Sequence, residues 1–164
     1  LGHQSGPDDR SIREKQTTAH EGMHVALDDR MRWRKPGEIL KPFYTNAFAY
    51  RGYLCQLPYT PKRIEISEAL ACSITNAHEH LPEKEMLSIL IGNLHTPMEH
   101  FRVYEILFWQ LAHQLRLTKL SLPPDSEQEV AQEIVNIYKK HGAGALRDVN
   151  SGIAHMLLAS LPKK

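Results

Sequence analysis

The run Thr17-Thr18-Ala19-His20-Glu21-Gly22-Met23-His24-Val25-Ala26 puts two imidazoles and a carboxylate at a spacing that could do chemistry. On an α-helix, residues four apart share a face, so His20 and His24 could grip one Zn²⁺. Glu21 projects beside them, where it could polarise a water at the metal without ligating it. The competing reading is an amphipathic helix whose histidines fall at i and i+4 with no metal between them. A catalytic zinc site takes three protein ligands and keeps a position for water, so a third residue must arrive from elsewhere in the chain.

The flanks of the pair resemble the extended motif of the zincin metallopeptidases. That family favours Val or Thr three residues before the first His, and uncharged residues around the pair. Thr17 fills that place, Thr18, Gly22, Met23 and Val25 are uncharged, and Ala26 is apolar. The resemblance implies a zinc-dependent endopeptidase acting on a peptide or protein substrate. His20 and His24 would be metal ligands and Glu21 the general base. The metzincin branch would need a glycine three residues after His24 and a histidine six after it. Leu27 and Arg30 stand there instead, which excludes it. The gluzincin branch draws a Glu from a second helix as Glu-x-x-Ala, and Glu68-Ala69-Leu70-Ala71-Cys72 is similar to that pattern. Glu68 is thus the implied third ligand. Glu65, one turn earlier, is an alternative that would leave Glu68 in support. Asn46-Ala47-Phe48-Ala49-Tyr50-Arg51 competes at the family's more usual separation from His24, but it carries Asn where the family places Glu. A neutral amide oxygen is a poor third ligand for zinc. Tyr44, Tyr50, Tyr53 and His155 all stay open as the group that helps hold a developing oxyanion. Two other classes of function remain: a non-catalytic helical metal-binding or protein-interaction module derived from a metallopeptidase, and a metal-dependent hydrolase acting on something other than peptide.

The elements that must position these residues read as helices. Ser11-Ile12-Arg13-Glu14 has the spacing of a capping box, and the helix it opens runs through the motif to about Arg34, before Lys35-Pro36-Gly37. Its apolar side carries Ile12, Ala19, Met23, Ala26 and Leu27, which would set the metal against the core. Thr60-Pro61 opens a helix bearing Ser67, Glu68 and Cys72 on one side. Pro82 starts another. Thr96-Pro97-Met98-Glu99 starts the most apolar one, ending near Leu117. Within that helix Glu105 is ringed by apolar residues, so it should meet a cation, a His or the metal's surroundings. Ser126 caps a helix that Gly142 closes, and a last one spans about Leu146 to Leu161. His78 and His80 read as solvated, His95 and His100 flank a helix start, and His113 and His141 are scattered.

No alternating strand is visible and no internal repeat. The expected fold is mainly α: a compact helical zincin-like domain over residues 1–164 with the motif helix central and little or no β-sheet. In the zincin family a twisted sheet precedes the motif helix, yet only 19 residues precede His20 here. Either the sheet is vestigial, or an upstream segment is missing, or this is a helical member. Residues 1–10 read as loosely ordered.

Composition agrees with a globular chain, at 41% hydrophobic and 24% charged residues. No stretch approaches the roughly 18 apolar residues of a membrane span. The net charge of +1 divides into 11 Lys/Arg against 7 Asp/Glu over residues 1–63 and 9 against 12 beyond. Such a mild dipole gives no basic stripe for nucleic acid. Cys55 and Cys72 are too few for a disulfide framework and read as buried free thiols. No signal peptide is visible and the chain begins without Met, so its compartment stays open.

Overall fold

A computed structural model describes residues 7–31, 62–78, 81–119 and 124–161. Five α-helices run through them: α1 (Pro7–Met31), α2 (Arg63–Ala77), α3 (Glu83–Leu94), α4 (Arg102–Gln114) and α5 (Glu127–Ser160). A 3₁₀ turn, Glu99–Phe101, leads into α4. No strand occurs among the described residues, and the fold is mainly α.

Several helix ends obey their local chemistry. Ser126 caps α5, its hydroxyl accepting a hydrogen bond from the Glu129 N–H at 3.1 Å. Gly142 does break the helical path, with φ 80° and ψ 174°, a conformation essentially restricted to glycine. Two helical segments thus meet at a kink at Gly142, as expected, and α5 denotes both. Thr96 behaves differently from expectation. Its hydroxyl donates to the Gly92 carbonyl at 2.5 Å, closing the end of α3 instead of capping the start of α4. The chain therefore enters α4 through the 3₁₀ turn. That helix ends at Gln114, where Arg116 turns to φ 58° and the Leu117 N–H reaches back to the Ala112 carbonyl at 2.9 Å.

α2 lies at the middle of the bundle and packs against α1, α3, α4, α5 and the 3₁₀ turn. Ile66, Ala69 and Leu70 of α2 are wholly enclosed, together with Leu107 and Phe108 of α4 and Leu146 and Ile153 of α5. A polar chain threads this apolar mass. The Asn76 amide donates to the Tyr104 hydroxyl at 2.9 Å, and that hydroxyl donates to Asn150 Oδ1 at 2.8 Å. Asn150 in turn donates to the Leu146 carbonyl at 2.8 Å. Burial raises the Tyr104 pKa well above its ordinary value, so the phenol keeps its donor proton.

Among the described residues, the extended contacts of α1 are with α2, where the motif residues meet it. Charged and polar side chains run round most of the circumference of α1, and burying them would need partners. Its contact face differs from the expected apolar side. Gln16, His20, Met23 and His24 are half-buried, whereas Ala19 and Ala26 are exposed.

Candidate metal centre

α1 and α2 meet through the predicted residues. His20 Nε2 lies 3.0 Å from Glu68 Oε1 and 3.2 Å from His24 Nε2. His24 Nε2 also touches Glu68 Oε1. The two rings stand edge to face, with centroids 4.9 Å apart. Three ligand atoms from two helices thus face one point. They all lie within 4.8 Å of one another, and no other His, Cys, Asp or Glu among the described residues joins such a group.

A tetrahedral metal such as zinc, with bonds of about 2.1 Å, holds its donors about 3.4 Å apart. The separations of 3.0 and 3.2 Å differ from that by a few tenths of an ångström, while His24 Nε2 and Glu68 Oε1 stand closer still. Two imidazoles and one carboxylate suit a divalent ion as a donor set, and taking one up requires His24 and Glu68 to move apart. The surroundings orient it as well. His24 Nδ1 lies 2.6 Å from Ser67 Oγ, which aims its Nε2 at the common point. The Cys72 thiol donates to Glu68 Oε2 at 3.8 Å, leaving Oε1 to the histidines. Burial drives the Cys72 pKa far up, so this sulfur is a neutral donor and not a thiolate ligand.

Electrostatics couple the same groups. The hydrogen bond from the His20 ring to the Glu68 carboxylate raises the His20 pKa against the opposing effect of burial. Burial pulls the Glu68 pKa up, but its bonds to His20 and His24 outweigh this and the net shift is downward. In the metal-free cluster a proton thus binds the two helices together. A metal ion would displace it, because ligation requires neutral imidazole and ionised carboxylate.

Of the alternatives for the third position, Glu65 is not drawn in. Its side chain is only 3% exposed, and its Oε1 accepts the Lys62 backbone N–H at 3.2 Å at the start of α2. Asn46, Tyr44, Tyr50, Tyr53 and Cys55 fall outside the described residues. Glu21 is exposed on α1 next to His20, and His155 is exposed on α5. Glu105 is half-buried: burial raises its pKa, the Arg102 charge opposes this, and it is no part of the cluster. Ser67 and Cys72 were legible only as sharing a helix side with Glu68. Their supporting contacts depend on how α1 docks, which spacing does not encode. Comparison with protein-family models, curated proteins and solved structures finds no match to this chain.

Proposed function

We propose that this chain is a zinc-dependent endopeptidase of gluzincin type, hydrolysing peptide bonds in a peptide or protein substrate. The observation that carries the reading is the convergence of His20, His24 and Glu68 on one point across more than 40 residues of sequence. Two neutral imidazoles and one carboxylate are the donor set of that class of site. When bound there, zinc lowers the pKa of water and polarises a carbonyl. The chain's own residues do the rest. Glu68 brings one negative charge to the centre and Ser67 fixes the His24 ring. Glu21 stands free of the cluster and open to solvent, so its carboxylate can take a proton from the attacking water and return it to the leaving amine.

The test uses the full chain, zinc and a library of fluorogenic peptides. Cleavage that a chelator stops, and that falls about 10²–10⁴-fold in Glu21→Gln with zinc content unchanged, supports the reading. Absence of tightly held metal, with His20→Ala unaltered in stability, overturns it. A second reading, a non-catalytic metal-binding or interaction module, has one observation in its favour. The three groups already satisfy one another by hydrogen bonds. Stoichiometric zinc with no hydrolysis of any peptide would favour it.

A further inference from the structure

A cavity of about 640 Å³ opens at the N-terminal end of α2, walled by the segment after α3 and by the starts of α4 and α5. Five carboxylates line it: Glu65, Glu99, Glu105, Asp125 and Glu127. Lys62 and Arg102, both exposed, share the lining, as does His95, whose Nε2 lies 3.6 Å from Glu127 Oε1. The buried carboxylates are Glu65, at 3% exposure, and the half-buried Glu105. Glu99, Asp125 and Glu127 are exposed at the rim with the two cations, so the interior of the cavity carries Glu65 and Glu105 alone.

Helix dipoles account for part of this. Glu65, Glu99, Glu105 and Glu127 each occupy the first turn of a helix, where a carboxylate is favoured. They do not account for four first turns opening on one cavity, nor for the state of Glu65. Its Oε1 takes the Lys62 N–H, but the buried Oε2 has no hydrogen-bond partner among the described residues. A buried carboxylate oxygen left in that state is unfavourable, and a cation beside it removes the penalty. Burial also raises the Glu105 pKa, and the Arg102 charge offsets this only in part.

We propose that this cavity binds a primary ammonium or guanidinium group carried on a short aliphatic stem. The volume lies in the range of small-molecule sites and exceeds what a bare ion needs. The carboxylates here do not converge as metal ligands do, since the single such group among the described residues is His20, His24 and Glu68. Leu94 and Val130, buried at 2% and 4% exposure, add apolar wall against which a stem can lie. Lysine and arginine side chains and free aliphatic amines share this chemistry. The inference is independent of metal at the α1–α2 centre.

The experiment is a ¹H–¹⁵N titration of the full chain with n-butylammonium and with n-butylguanidinium. n-Butanol serves as the neutral isostere and Mg²⁺ as the bare cation. The expected result is saturable shifts at the amides of Glu65, His95 and Glu105 with the charged probes alone. Binding should weaken about tenfold or more in Glu65→Gln, which loses the charge-assisted bond but keeps an acceptor for the Lys62 N–H. Glu105→Gln, on a different helix, should weaken it in the same direction and guards against misfolding of the first variant. Equal shifts with n-butanol, wild-type affinity in both variants, no saturation by either organic cation, or shifts with Mg²⁺ in their place would each overturn the proposal.

Discussion

Ser67→Ala isolates the group that orients His24. The hydroxyl lies 2.6 Å from Nδ1, and Ser67 is buried at 6% exposure. Alanine keeps the Cβ and is the better helix former, so α2 survives the change. Losing an outer partner of a ligating histidine typically costs about 10–100-fold in metal affinity. An independent route gives a similar size. A buried donor left without an acceptor costs about 1–3 kcal/mol, and about 1.4 kcal/mol is tenfold. The His24 side chain retains 19% exposure, so water takes up part of that loss. The expected drop is accordingly near the lower end, about tenfold. Competition against a chromophoric chelator measures it, with Ser67→Thr restoring the hydroxyl and most of the affinity. Melting of both proteins in excess chelator separates metal affinity from metal-free stability. Zinc affinity in Ser67→Ala unchanged to within about twofold would refute the orienting role, because the ring would then hold its direction unaided.

Glu68→Ala should abolish tight metal binding, while Glu65→Ala leaves it intact, since Glu65 is engaged at the start of α2 and lies about 5 Å away along the axis. Asn46→Ala should bind as wild type; equilibrium dialysis against zinc scores all three, and loss in the Asn46 variant alone would move the third ligand. Tyr104→Phe strands both Asn76 Nδ2 and Asn150 Oδ1 in the core and should cost about 1–3 kcal/mol by urea titration. The metal-free protein should show a stability maximum in pH. The raised His20 pKa gives stability that is full below 6.5 and lost as pH rises through its folded value. The lowered Glu68 pKa gives stability that is full above 4.5 and lost as pH falls through its folded value. Melting temperatures in chelator should thus peak between these bounds, and a flat profile would show that the pair does not titrate with folding.

The parts of this structure legible in the sequence are those set by local rules. Ser126 announced the start of α5, Gly142 the break in its helical path, and the i, i+4 spacing of His20 and His24 a shared face. The choice of Glu68 over Glu65 rested on a resemblance in pattern. Only the docking of α1 on α2 gives it a geometric basis. Docking also decides which face of α1 is used: Ala19 and Ala26, read as part of its apolar side, face solvent, while Gln16, His20, Met23 and His24 are half-buried. Thr96 shows a second limit. Threonine before proline suits a helix start, yet the same hydroxyl equally satisfies a carbonyl left open at the end of the preceding helix, and here it does. Which orphan it serves depends on the path between helices.

The contact between α1 and α2 bears on how these two helices are held together. Among its described side chains none is fully buried, and a single cross-helix ion pair, Arg13 with Glu85 at 3.9 Å, supplements the grip of His20 and His24 on α2. A ligand that favours the docked state adds RT ln(1 + [L]/Kd), about 2.7 kcal/mol at a hundredfold excess over Kd. No side chain described on α1 is fully buried, so such an increment should be felt at this contact. A bound metal would then act as a latch: chelation should release α1 before the α2–α5 bundle melts, exposing its bonds to proteolysis and its amides to exchange. The histidine pair and the scaffold would be assembled, and dismantled, by the same ion.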